Sequence, residues 1–289
     1  MKKEQNKEPK KRKRSLWTIF VVILTAVLVC AVWENTAIET QYYTISSPKI
    51  PAAFDGFRIA HISDLHNAQF GEDNKVLLDM LRREKPNQIY ITGDLIDSRR
   101  TDTAVALSFL RQAVEIAPCY YVTGNHESRL ADCQQLKKQM LDLGVVVLSD
   151  MKCHLVKNKQ SICVIGVDDP GLSSGDQSDE ACMVKKLEKL AGDEDFTILL
   201  SHRPELMDVY SRYGIDLVFS GHAHGGQIRL PLIGGLVAPN QGWFPVYDAG
   251  LFERGESRMI VSRGLGNSLF PLRFNNRPEL IIVELKCEN

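Results

Sequence analysis

Five short runs of β-branched and aromatic residues in this chain end in the same way, and that shared ending restricts the fold more than any other feature. "FRIAHIS" (57–63) is followed by Asp64-Leu65-His66, "NQIYIT" (87–92) by Gly93-Asp94-Leu95-Ile96-Asp97, and "CYYVT" (119–123) by Gly124-Asn125-His126-Glu127. "FTILLS" (196–201) leads into His202-Arg203-Pro204, and "DLVFS" (216–220) into Gly221-His222-Ala223-His224. Open α/β sheets build their ligand sites by delivering polar side chains from successive strands to one rim. Glycines ahead of Asp94, Asn125 and His222 allow sharp turns and leave room beside the backbone for an ion or a phosphate.

The segments between these runs have helical periodicity. Helices are expected over 74–84, 102–115, 131–144, 179–191 and 204–214, the last with Pro204 at its start. "VVVLS" (145–149) is a further strand, and "CHLVKNKQSICVIGV" (153–167) reads as a hairpin. "GQIRLP", "RMIVSR" and "PELIIVELK" supply late strands. A β-α-β-α opening followed by hairpins and late strands predicts an α/β architecture with a mixed sheet or two packed sheets.

The residue types at the strand ends suit one chemistry. Asp64, His66, Asp94, Asn125, His202, His222 and His224 form a mixed oxygen and nitrogen set, which suits Mn, Fe or Zn better than Ca or Mg. Two ions sharing one carboxylate need about this many protein ligands and leave places for water and substrate. Taken singly, each block has an ordinary explanation: a helix cap, a turn, a strand-end histidine. Five of them in series, each directly after a strand, do not. His222 and His224 would share a face if extended, whereas a tight turn would aim them at neighbouring ions.

Together "DLH", "GDLID", "GNHE", "SHRP" and "GHAHGGQ" resemble the signature of the calcineurin-like metallophosphoesterases. Within it the chain is similar to the bacterial membrane-associated or exported branch. The likeness runs over about residues 55–286, including the closing "VSRGLGNSLFPLRFNNRPELIIVEL". It implies a four-layer sandwich of two mixed β-sheets flanked by helices. It also implies a first divalent ion held by Asp64, His66, Asp94 and His224. A second would be held by Asp94, Asn125, His202 and His222, with Asp94 bridging. His126, not a ligand in this scheme, would contact the phosphate and protonate the leaving oxygen. Glu127, Asp97 and Arg203 match motif positions without a settled role, while His61 is expected in the core and His154 on the surface.

The chemistry that follows is hydrolysis of phosphomonoesters or phosphodiesters, lipid- or cell-wall-linked substrates among them, by a hydroxide held between the two ions. Two alternatives stand beside it: a UDP-diacylglucosamine-type pyrophosphatase, and a non-catalytic membrane-tethered module that binds metal or phosphate. The intact His126 argues against the second, since a binder needs no acid for a leaving group.

The net charge of −1 hides an asymmetry. Residues 1–14 hold eight Lys/Arg and two Glu, so the remaining 275 residues carry a net charge of −7. A domain of that sign repels polyanions, and no nucleic-acid partner is expected. Residues 15–33, "SLWTIFVVILTAVLVCAVW", contain no charge. Nineteen helical residues at ~1.5 Å each span ~28 Å, the hydrocarbon thickness of a bilayer. The run is long for a cleavable signal peptide and no A-x-A site follows it. It is read as a single-pass anchor with residues 1–14 cytoplasmic and the catalytic domain outside, by the positive-inside rule. Residues 34–56 read as a linker and 57–289 as the metallophosphoesterase domain. Six cysteines fall beyond the anchor without a tight spacing, so most are expected as buried thiols; Cys153 and Cys163 flank the hairpin and could approach each other.

Overall fold

The computed structural model describes residues 9–173, 177–192 and 196–288; residues 1–8 of the basic head lie outside them. Its first element is a helix, α1 (Pro9–Thr36), and β1 (Glu39–Ser47) follows almost at once. The sheet-and-helix body then runs β2 (Phe57–Ile62), α2 (Lys75–Glu84), β3 (Gln88–Thr92), α3 (Thr103–Ala113), β4 (Cys119–Val122), α4 (Cys133–Asp142) and β5 (Val146–Val147). Next come the hairpin β6 (Met151–Lys157) and β7 (Gln160–Gly166), α5 (Asp179–Leu190), β8 (Thr197–Leu200), α6 (Met207–Arg212) and β9 (Leu217–Ser220). Two very short pairs follow, β10 (Arg229–Leu230) with β11 (Gly234–Gly235) and β12 (Val237–Ala238) with β13 (Gly242–Trp243). The chain finishes with β14 (Gly250–Arg254), β15 (Ser257–Val261) and β16 (Glu279–Cys287).

Ten of these strands and two terminal ones form two six-stranded mixed sheets, ordered β1-β16-β2-β3-β4-β5 and β14-β15-β9-β8-β7-β6. In the first, β2, β3 and β4 are parallel; in the second, β7, β8, β9 and β15 are. Alternate side chains of each strand serve different layers. Ile59, Tyr90, Val122, Ile198, Leu200 and Phe219 fill the space between the sheets. Ala60, Ile89 and Ile91 point the other way, onto Leu77 and Leu81 of α2 and Phe109 and Leu110 of α3. Leu199 and Val218 pack outward on Met183 and Leu187 of α5 and on Val209 and Tyr210 of α6. The result is the expected four layers, helices–sheet–sheet–helices. Strands buried on both faces are continuous apolar runs, which is why they were readable.

The stretch 34–56, expected as a linker, is corrected by the structure: it contains β1, paired in parallel along the whole of β16. An edge strand has one partner and little cover, and only Ile45 of its nine residues is buried. Its sequence "ETQYYTISS" therefore lacks an apolar signal. Likewise the loop-like stretch 230–252 runs into the edge strand β14, and the strand expected at "GQIRLP" shrinks to the two residues of β10. Residues Leu16–Thr36 of α1 form one helix long and apolar enough to cross a membrane, and they are not buried against the protein. No disulfide joins the seven cysteines, all among the described residues, and Cys153 lies opposite Val164 rather than Cys163.

Candidate metal centre

Because β2, β3 and β4 are parallel, as are β8 and β9, their C-terminal ends converge on one rim between the sheets. All seven residues expected there arrive together and buried: Asp64, His66, Asp94, Asn125, His202, His222 and His224. Two backbone hydrogen bonds clip the loops after β2 and β3 together, Asp64 N–H to Gly93 O (3.0 Å) and His66 N–H to Asp94 O (3.0 Å). A side chain at Gly93 would strike the backbone of Gly124 at 2.2 Å, and one at Gly124 would strike Asp94 Oδ1 at 2.2 Å, so the loops after β3 and β4 approach because neither residue has a Cβ. At Gly221 a Cβ would fall 1.8 Å from Ser63 Oγ and 2.3 Å from Asp64 Oδ2.

Five of the seven candidates hold a positive φ: Asp64 (53°), His66 (47°), Asp94 (51°), His222 (68°) and His224 (48°). Residues with side chains adopt this region at a cost, and such strain concentrates at functional sites. The tight turn decides between the two arrangements open for His222 and His224. They aim at different neighbours.

Two groups result. Nε2 of His224 lies 3.3 Å from Asp64 Oδ1 and 3.1 Å from Nε2 of His66, which is 3.6 Å from Asp94 Oδ2. On the other side of the same carboxylate oxygen, Nε2 of His202 is 3.2 Å from Asp94 Oδ2. The ring of His222 stands against that of His202, with centroids 4.9 Å apart. Asp64, His66 and His224 can hold one metal ion, and Asp94, His202 and His222 another. His66, Asp94 and His126 form a third close set, but Nδ1 of His126 already accepts the Ser98 N–H at 3.0 Å.

The donor set fits cations. The amide atom of Asn125 that faces the site is 3.2 Å from His202 Nε2, 2.8 Å from His222 Nδ1 and 3.3 Å from Asp94 Oδ2. With its oxygen inward, lone pairs converge there from four groups, the arrangement a cation reconciles. Turned over, the amide would instead donate to those atoms and offer its oxygen to Arg129 at 3.2 Å. Nδ1 of His202 is 2.6 Å from the Thr92 carbonyl, so it donates there and turns Nε2 to the site, where a cation would displace the proton that the Asp94 charge holds on it.

The electrostatics agree. Asp64 and Asp94 are held well below the usual carboxylate range: burial works against this, and the imidazoles around them outweigh it. Burial would lower His202, but the Asp94 charge beside it raises it to about 10. Burial keeps His224 neutral, at about 3, and His222 well below the ordinary imidazole value. The cluster is a buried concentration of negative charge and lone pairs that calls for positive charge.

His126 sits beside it. Its backbone N–H donates to Asp94 Oδ1 at 2.7 Å, and its ring is 4.5 Å from that of His66. With Nδ1 accepting from Ser98, a neutral His126 carries its proton on Nε2, which lies 3.3 Å from Ser268 Oγ. Burial lowers its pKa. Over the cluster opens a cavity of about 370 Å3 lined by Arg99, Arg129, Arg203, His126, Asn240 and Leu269, among others.

Glu127, Asp97 and Arg203 now have places. Glu127 is fully buried and accepts three backbone N–H groups, from Asp94 (2.8 Å), Gly124 (2.8 Å) and Ile96 (3.2 Å). It ties the loops after β3 and β4 into one unit. Asp97 binds Arg99 through both oxygens, at 2.7 and 3.0 Å. Arg203 makes a two-pronged pair with Asp169 that also brings Nη1 within 3.4 Å of His222 Nε2. Asp169 was not singled out, although "VIGVDDPG" repeats the strand-then-polar pattern at the end of β7. Ser98, Ser268 and the pocket residues Arg99 and Arg129 carry no comparable signal. His61 is in the core, 2.8 Å from Thr92 Oγ1, and His154 is exposed.

Comparison with known proteins places this geometry. Residues 57–226 match the family model "Calcineurin-like phosphoesterase". "Uncharacterized metallophosphoesterase YkuE" of Bacillus subtilis is 33% identical over 261 residues, 89% of this chain and 88% of that protein. "Phosphodiesterase YaeI" of Escherichia coli is 29% identical, covering 79% of this chain and 82% of that one. "Transmembrane protein with metallophosphoesterase domain" of Danio rerio is 27% identical over 93% of this chain, which spans 62% of that protein's length. A matched segment that ends at Gly226, just past the last histidine of the cluster, and a relative alike along nearly the whole length leave one conclusion: the chain belongs to the calcineurin-like phosphoesterase family.

Proposed function

We propose that this protein is a metal-dependent phosphoesterase that hydrolyses phosphomonoesters or phosphodiesters at the rim between its two sheets. The observation that carries the reading is the single Asp94 Oδ2 flanked by two acid–imidazole groups, with His126 alongside and its Nδ1 occupied. Asp64, His66, His224 and Asp94 would hold one divalent ion; Asp94, Asn125, His202 and His222 would hold the second. The nitrogen- and oxygen-rich set suits Mn, Fe or Zn. When bound, such ions neutralise phosphoryl charge and acidify water, so that hydrolysis runs near neutral pH.

The chain's own residues supply the remainder. Arg99 and Arg129 give the cavity a cationic wall for the phosphate, and Arg203, fixed by Asp169, adds charge beside His222. The Ser98 N–H fixes the tautomer of His126, whose Nε2–H is the proton available to a departing oxygen. Glu127 keeps Asp94 and Asn125 at their spacing. Residues Leu16–Thr36 anchor the protein in a membrane as a single-pass helix, with the basic head cytoplasmic and the domain on the far side.

The test is to purify the full chain, load it with Mn(II), count bound ions by elemental analysis, and assay p-nitrophenyl phosphate and bis-p-nitrophenyl phosphate. Two ions per chain and cleavage of at least one ester are expected. No hydrolysis with Mn, Fe or Zn would end the enzymatic reading.

A further inference from the structure

Residues 267–277 form a strap that the function above does not use. Its two ends are fastened to the last turn of α1: Asn267 Nδ2 donates to Asn35 Oδ1 at 2.7 Å, and the Asn276 N–H donates to Glu34 Oε2 at 3.0 Å. Arg277 lies 4.4 Å over the ring of Trp33 and donates to Ala37 O at 2.9 Å. Between these points the strap exposes Leu269 (84%), Phe270, Leu272 and Phe274 (60%). The exposure is built rather than loose. Buried Arg273 donates to Asn267 Oδ1 at 2.9 Å and to the Arg263 and Asn276 carbonyls, and Gln227 Nε2 donates to the Phe270 carbonyl at 3.0 Å. The tip of the β10–β11 hairpin adds fully exposed Leu232 and, through the Arg229 N–H to Phe274 O bond of 3.0 Å, is tied to the same strap.

The strap also reaches the candidate centre. Ser268 Oγ is 3.3 Å from His126 Nε2, and Leu269 lines the cavity. The histidine contact and the bond to the apolar helix therefore fall on adjacent residues, Ser268 and Asn267. An indole such as Trp33 at the end of a membrane span marks the water interface. A rigid apolar patch continuous with that end, and rimming a cationic cavity, has the polarity of an amphiphile: charge inward, hydrocarbon outward.

We propose that the strap 267–277 and the Leu232 tip seat on the bilayer surface, so that the cavity opens at head-group level and takes its phosphoester from a membrane lipid. This rests on the reading of α1 as a membrane anchor and of the centre as a phosphoesterase, and the experiment separates the three. The full chain, its three native tryptophans replaced by Phe and carrying F270W, is reconstituted into phosphatidylcholine vesicles with and without brominated chains. Flotation with the vesicles reports the anchor, and bromine quenching of the introduced indole reports the seating. The Mn(II)-loaded wild-type chain is then assayed on hexadecyl p-nitrophenyl phosphate in vesicles and on its soluble ethyl counterpart, beside L272S/F274S.

The expected result is flotation, a quenched indole, and a kcat/KM for the hexadecyl ester about tenfold above the ethyl ester, because buried methylenes add binding. L272S/F274S should lose that preference and keep the ethyl rate. A floating chain with an unquenched indole, or equal rates on both esters in wild type and variant, overturns the inference alone. A chain that does not float overturns the anchor and the inference with it. If neither ester is cleaved, the phosphoesterase reading fails and takes the lipid substrate with it, while quenching still judges the seating.

Discussion

Glu127→Ala tests whether one buried carboxylate holds the centre together from behind. Glu127 is fully buried and is not among the residues lining the cavity over the cluster; its two oxygens accept the N–H groups of Asp94, Gly124 and Ile96. Burial and the neighbouring Asp94 carboxylate push its acid up to about 7, and the three amides pull the other way. Alanine leaves three buried donors without partners, at about 1–3 kcal/mol each and not additively, so a loss of about 4 kcal/mol is expected. For a domain of this size that lowers Tm by about 10 °C, read by circular dichroism. Glutamine can keep the two bonds made by Oε2 while setting an NH2 against the Ile96 N–H, so it should lose about half as much. Glu127→Ala should also weaken metal binding in isothermal titration, because the loops carrying Asp94 and Asn125 lose their common tie, and Glu127→Gln should restore most of it. A Glu127→Ala protein that melts with the wild type and binds metal as tightly would refute the reasoning.

Four further outcomes are expected. Asp94→Asn should reduce both bound metal and turnover by about a hundredfold or more in affinity and rate, read by elemental analysis and ester assay, since the two proposed ions would both lose the charge they share. His126→Ala should keep its metal but lose about a hundredfold or more in kcat on an alkyl phosphodiester, and much less on a p-nitrophenyl ester whose leaving group needs no proton; equal losses on both would remove the acid role. Gly221→Ala drives a Cβ to 1.8 Å from Ser63 Oγ and should give a chain that folds poorly or melts several degrees lower by calorimetry. Buried Cys119 has its thiol pushed up to about 12, above an unfolded thiol near ~8.5. Its contribution to stability is therefore full below the unfolded value and lost as pH climbs toward 12. At pH 8 iodoacetamide should spare it in the native chain and modify it in urea.

The strand-end blocks were legible because a parallel strand buried on both faces leaves a long apolar signature that stops abruptly at its polar tip. Asp64, Asp94, Asn125, His202 and His222 all sit at such tips. What stayed hidden lacks that contrast. β1 is a half-covered edge whose sequence "ETQYYTISS" is mostly polar and buries only Ile45. The task of Glu127 is to accept main-chain N–H groups, which depends on where two loops meet and leaves no mark on spacing. Ser268 comes within 3.3 Å of His126 across 142 positions of sequence, a contact that only the closed sandwich creates. Asp169 is the one omission that the same reading would have recovered, since β7 also ends in a polar block.

Only Ala37 and Ile38 separate α1 from β1, and β1 is laid in register along nine residues of β16. A flexible tether of n residues would let a domain swing through roughly 5–6 Å × √n; this joint has no such slack. With α1 held in a bilayer, any tilt of the helix passes straight into the sheet as shear along the β1–β16 ladder. On the proposed reading of α1 as an anchor, the domain would be mounted like a tool on a short shaft, close to one height above the bilayer, and a substrate would have to reach it there.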